Sequence, residues 1–129
     1  MKRILLCLMV ALFATGCLFA KNNDEKMNVM SYNIRYDNSG DKDNQWKFRR
    51  DFAADLVKFY EADVFGAQEV LNNQLNDLLN RLPEYAYVGV GREDGKTKGE
   101  YAPIFYRKDR FSVEKSGNFW LAEDINAIG

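Results

Sequence analysis

Two polar residues close two apolar runs, and their types set the chemistry open to this chain. Asn33 ends the apolar part of Met30-Ser31-Tyr32-Asn33-Ile34-Arg35-Tyr36, and Glu69 ends that of Asp63-Val64-Phe65-Gly66-Ala67-Gln68-Glu69-Val70. A carboxylate at the end of a buried strand is costly unless a cation or hydrogen-bond donors receive it. Glu69 suits a hard divalent cation such as magnesium, which uses few carboxylates and keeps several waters. Asn33 can bond a phosphate oxygen or orient a carboxylate without adding negative charge. Arg35 is a ready partner for an anionic group. Each residue also has a plain structural reading, in which the Asn caps a turn, the Glu begins the next helix and the Arg is solvated. The chain contains no histidine, so a Ser–His or Cys–His nucleophile pair within it is excluded. It has no cysteine after Cys17, which excludes a zinc cluster and a disulfide scaffold in the folded part.

These residues need elements to hold them at one sheet edge. Met27 to Asn33 reads as a first strand. Asp37 to Asn44 is a turn-forming loop rich in Asp, Asn and Gly, and it lacks the terminal bidentate Glu of a calcium loop. Helical spacing of Arg49, Phe52, Ala53, Leu56, Val57 and Tyr60 predicts a helix over 46–60, with Asn44 as N-cap. Asp63 to Gln68, apolar at consecutive positions, predicts a second strand covered on both faces. Leu71, Leu75, Leu78, Leu79 and Leu82 form the stripe of a second helix that Pro83 stops. Tyr85–Val90, Tyr101–Tyr106 and Phe111–Trp120 predict three further strands. The Gly-punctuated segment from Gly91 to Gly99 reads as a solvated hairpin loop, because no helix follows to make it a phosphate cradle.

With 129 residues the chain holds one modest domain. Its start reads as an export signal over 1–20: Lys2 and Arg3, an apolar run from Ile4 to Phe13, then small residues before Cys17. Ala14-Thr15-Gly16-Cys17 reads as a bacterial lipobox, which would make Cys17 a lipidation site. Leu18-Phe19-Ala20 before Lys21 offers an ordinary signal peptidase a competing site. Residues 21–26 read as a linker, and 27–129 as the domain. The expected location is the bacterial cell envelope, either periplasmic or lipid-anchored at the outer surface, with the lipid as the only membrane contact. The leader holds two of the 18 Lys and Arg and none of the 19 Asp and Glu, so the remainder carries a formal charge of −3. That supplies no general field for capturing nucleic acid.

In combination, Ser31-Tyr32-Asn33-Ile34-Arg35, Asp63-Val64-Phe65-Gly66-Ala67-Gln68-Glu69-Val70 and Gly99-Glu100-Tyr101-Ala102-Pro103-Ile104-Phe105-Tyr106-Arg107 resemble the endonuclease/exonuclease/phosphatase superfamily. The resemblance runs from about Met27 onward. It implies an α+β fold, the four-layer α/β/β/α sandwich of deoxyribonuclease I, of which only about the first half is expected here. It implies metal-dependent phosphoester hydrolysis with Mg2+, or Mn2+, as cofactor. Asn33 then matches the first-strand asparagine that binds phosphate and positions the metal site, and Glu69 the principal metal-binding glutamate. Arg35 matches a substrate-facing arginine of the deoxyribonuclease I-like branch. Glu100 takes the place of a glutamate that orients a catalytic histidine, although it also reads as a charged residue at a loop tip. The implied catalytic set is Asn33, Glu69 and Glu100, with Asn33 and Arg35 on substrate and Glu69 and Asn33 on metal.

The family's histidines, its Asp-x-Asn segment and its final Asp-His pair belong to the second half of the domain. This chain alone is therefore expected to be inactive, with an apolar sheet face uncovered and a marginal, aggregation-prone fold. The implied substrate is a phosphate ester, whether nucleic acid, phospholipid head group, or sugar or inositol phosphate, and the full-length protein is expected to be monomeric. The competing reading is a non-catalytic surface lipoprotein or binding module that retains half of the fold.

Overall fold

The strands and helices follow from where the chain can bury its aromatic and leucine side chains. In a computed structural model, residues 26–128 are described. The export signal, Cys17 and most of the linker lie outside the described residues. The order is β1 (Val29–Asn33), a 3-10 segment (Ser39–Asn44), α1 (Trp46–Phe59), β2 (Val64–Gln68), α2 (Asn72–Arg81), β3 (Tyr85–Val88) and β4 (Ile104–Arg107). No helix among the described residues is long and apolar enough to cross a membrane.

The four strands form one mixed sheet in the order β1-β2-β4-β3. β1 and β2 are parallel and in step, with Val29 opposite Val64 and Asn33 opposite Gln68. β4 runs antiparallel to both β2 and β3. Side chains alternate across the pleat. Met30, Tyr32, Phe65, Ala67, Phe105, Tyr85 and Tyr87 therefore share the face that joins the core. Phe65 stacks on Phe105 at 4.5 Å between centroids and meets Tyr85 edge-on at 5.6 Å. Trp46, Ala53, Ala54 and Val57 of α1, with Leu75 and Leu78 of α2 and Leu82 beyond it, close the same core. Among the described residues there are thus one sheet and one helical layer, two of the four layers of an α/β/β/α sandwich.

Asp77 of α2 fastens the helices together, accepting from Trp46 Nε1 at 2.9 Å and pairing with Arg50 of α1 at 3.6 Å. Asp63, buried at the start of β2, accepts from the Asn28 backbone N–H at 2.8 Å and from the Arg110 guanidinium. That bond ties the turn after β4 back to the entry of β1.

Four expectations change. The buried face of α1 is centred on Trp46, Ala53, Ala54 and Val57, and Phe52 and Tyr60 stand 68% and 58% exposed. Trp46 sets this rotation, because the largest side chain of the helix goes into the core. Asn44 is not the N-cap. Gln45 occupies that position without a side-chain cap bond, and the Asn44 carbonyl instead accepts from Arg49 Nε. β2 is buried on alternate positions only, so one of its faces is open rather than both covered. Residues 111–120 form no strand. β4, the strand they would follow in a hairpin, is already paired with β2 and β3 on both edges. The segment crosses the surface instead, where Trp120 Nε1 donates to the Arg92 carbonyl at 2.8 Å.

Candidate active site at the strand ends

Parallel pairing without a register slip brings the C-terminal ends of β1 and β2 side by side, so Asn33 and Glu69 leave the sheet at the same edge. Asn33 Nδ2 donates to Glu69 Oε1 at 2.8 Å. The Tyr36 backbone N–H donates to Glu69 Oε2 at 3.2 Å. Each carboxylate oxygen thus holds one donor and keeps acceptor capacity for another partner. The Asn33 hydrogen bond, followed by that of the Tyr36 N–H and the charges of Arg35 and Arg49, holds the Glu69 carboxyl below its ordinary range. Glu69 is therefore ionised at neutral pH.

The backbone must bend sharply to place these groups. Arg35 and Glu69 both sit in the left-handed region with φ of 59°. Such a conformation costs a non-glycine residue about 1–3 kcal/mol and persists only where neighbours over-determine it. Those neighbours are visible. Asn33 Oδ1 accepts from the Arg35 N–H at 2.8 Å, an Asx-type turn. From α1, Arg49 donates to the carbonyls of Ile34 and Arg35, the latter at 2.7 Å. From α2, Gln74 Nε2 donates to the Arg35 carbonyl at 2.9 Å, while its Oε1 accepts from the N–H groups of Asp37 and Leu71.

Asn33 and Glu69 are thus in direct contact. The Arg35 side chain turns to Asp41, pairing through Nε and Nη2 at 3.0 Å each. Its Nη1 makes no hydrogen bond among the described residues. Glu100 approaches from the other side. Val70 and Tyr101 form an isolated antiparallel bridge, and Glu69 and Glu100 flank it. Glu69, Glu100, Gln68, Arg92 and Trp120 line one cavity of about 660 Å³. Glu100 pairs with Arg92 at 3.1 Å. A second hollow of about 550 Å³ beside it is lined by Asn33, Arg35, Asp41 and Arg49.

The donor set bears on which ion would fit. No group of three His, Cys, Asp or Glu side chains converges among the described residues. An all-protein zinc or calcium cage is therefore absent there. A single ionised, oriented carboxylate beside a cavity suits magnesium, which binds through one or two carboxylates plus water and phosphate oxygens. Sequence reasoning missed Arg49 and Gln74 as parts of this site. Gln74 gave a signal, being a polar residue inside the apolar stripe of α2. Arg49 gave another, sharing the predicted apolar face of α1.

No family model matches the chain. Its structure resembles that of an endonuclease/exonuclease/phosphatase from Bacteroides vulgatus, with a TM-score of 0.75 and 54% identity over 77% of this chain and 38% of that one. The mannosyl-6-phosphatase of Bacteroides thetaiotaomicron gives a TM-score of 0.75 and 44% identity, over 77% of this chain and 38% of that one. In sequence, the chain is 28% identical over 108 residues to Ccr4, the 3'-5'-exoribonuclease subunit of the CCR4-Not complex of Mycosarcoma maydis, covering 69% of this chain and 16% of that protein. The chain spans about two-fifths of the solved structures it resembles and under a fifth of the curated relatives it matches.

Proposed function

We propose that this chain, which belongs to the endonuclease/exonuclease/phosphatase family, supplies the cation-holding and phosphate-facing part of an exported, magnesium-dependent phosphoester hydrolase. The observation that carries the reading is the Glu69 carboxylate, ionised and held on both oxygens at the edge of a cavity it shares with Glu100 and Arg92. Glu69 would hold the cation, and Asn33 would fix the carboxylate and meet a phosphate oxygen. Arg35, kept in place by Asp41, would offer Nη1 to the anionic substrate. Glu100 stands across the cavity as a further acceptor. When bound, a divalent cation polarises the phosphoryl group and stabilises charge on the leaving oxygen.

A sugar phosphate is the favoured substrate class. The 44% identity to a mannosyl-6-phosphatase supports it. So does the formal charge of −3 beyond the leader, which gives a long polyanion no attracting field. Export rests on the leader sequence, and lipidation on Cys17. The chain has no histidine to act as a base near neutral pH. Cation binding, rather than turnover, is therefore its own measurable property.

Titration of the chain with Mn2+, followed by electron paramagnetic resonance, tests the reading. One saturable site is expected in the wild type and its loss in Glu69→Gln. Equal binding by the two proteins would overturn it. In a polypeptide spanning the whole family domain, Glu69→Gln is expected to slow phosphate release from sugar phosphates at least about a hundredfold, since such an ion contributes several kcal/mol to the transition state.

A further inference from the structure

We infer that Gln74 is the positioning residue that keeps Glu69 in cation-binding geometry, acting through the backbone between Arg35 and Asp37. The inference rests on the reading that Glu69 holds a divalent cation. Gln74 lies in the first turn of α2 and is fully buried, with 0% of its surface exposed. Its amide is used at both ends. Nε2 donates to the Arg35 carbonyl at 2.9 Å, and Oε1 accepts from Asp37 N–H at 3.0 Å and Leu71 N–H at 3.1 Å.

These three bonds bracket the metal-site carboxylate. Arg35 and Asp37 stand on either side of Tyr36, whose N–H holds Glu69 Oε2. Leu71 lies two residues beyond Glu69 on its own exit from β2. One side chain therefore joins the loop that presents the Tyr36 donor to the segment that carries the acceptor. It does so where both Arg35 and Glu69 are in the costly left-handed conformation. Arg49 grips carbonyls of the first loop only, so it cannot set the distance between the two loops.

The position requires an amide. It needs one donor and an oxygen that accepts twice. Glutamate would keep the acceptors, lose the donor and set a carboxylate against the Arg35 carbonyl. Methionine would keep the length and lose every bond. Groups that orient a metal ligand typically contribute about 10–100-fold to metal affinity.

The test is Mn2+ titration of the full chain by electron paramagnetic resonance, with thermal melts by circular dichroism. The proteins are wild type, Glu69→Gln, Gln74→Met, Gln74→Glu and Leu78→Ala. Leu78 is buried in the core one helical turn beyond Gln74 and makes none of these three bonds, so its variant lowers stability while leaving the amide and its partners in place. The expected result is roughly tenfold or greater weakening of Mn2+ binding in both Gln74 variants, measured where each is folded. Leu78→Ala should bind within about twofold of wild type despite an equal or larger loss of melting temperature. Either folded Gln74 variant suffices if the other does not fold. Wild-type affinity in a folded Gln74 variant would overturn the inference while leaving Glu69 as the ligand. So would weakening of the same size in Leu78→Ala, which would make the effect one of general stability. Undiminished binding in Glu69→Gln would instead overturn the cation-site reading on which the inference rests.

Discussion

Glu69 and Asp63 show what a lowered carboxyl pKa does in two settings. At Glu69 the cause is first the Asn33 hydrogen bond, and at Asp63 first the Asn28 N–H, aided by Arg110. A group whose folded pKa lies below its unfolded value contributes stability above the unfolded value, about 4 for these residues. That contribution is lost as pH falls through the folded pKa. The melting temperature is therefore expected to hold from pH 7 to 5 and to drop below about pH 4. Asp63→Asn should flatten part of that drop while lowering stability at pH 7, which melts across the pH range would read directly. Arg110→Ala leaves Asp63 buried with one donor fewer and is expected to cost about 2 kcal/mol in denaturant unfolding. Asn33 and Glu69 were legible in the sequence because each is a polar residue ending an apolar run. Arg49 and Gln74 stood out only as polar residues on apolar helix faces, and their role was not legible, because their partners are main-chain groups of a loop whose path no side-chain pattern encodes.

The elements were legible where burial dictates them and obscure where neighbours do. Both helices stand within a residue or two of their predicted bounds, since leucine spacing and Pro83 fix α2, and Trp46 opens α1. The face of α1 was misplaced because Phe52 and Tyr60 share helical spacing with Ala53 and Val57, yet only two of these four fit beneath the sheet. Phe52→Ser is accordingly expected to change stability by no more than about 0.5 kcal/mol. Leu78→Ala, at a fully buried position of α2, should cost about 2–5 kcal/mol. Urea denaturation of the two variants checks the orientation of both helices. Residues 111–120 read as a strand because aromatic and β-branched residues recur there. A strand also needs a sheet edge to join, and the edges of β4 are taken.

At the scale of the molecule, the helices cover one face of the sheet and, among the described residues, leave the other open. Val29 and Ile104 on that open face are 65% and 48% exposed, with Val64, Tyr106 and Val88 beside them in the register. Exposed apolar surface, flanked by the edges of β1 and β3 that no strand pairs among the described residues, favours association. The chain is expected to show concentration-dependent oligomers by light scattering and to bind a hydrophobic dye. Val29→Lys with Ile104→Glu should reduce both, and a dye-silent monomer of the wild type at high concentration would contradict the expectation. The strand order β1-β2-β4-β3 also decides what a ribosome-bound chain presents as it grows. β2 can pair with β1 as soon as it emerges, but its other edge waits for Tyr106 and Phe105. At ordinary synthesis rates that wait lasts roughly 2–8 s, with Phe65 lacking its stacking partner throughout. β3 waits for the same strand, so the last few residues of β4 complete the sheet in a single step. A nascent chain that has emerged only as far as Pro103 would hold a two-stranded sheet and an unpaired third strand.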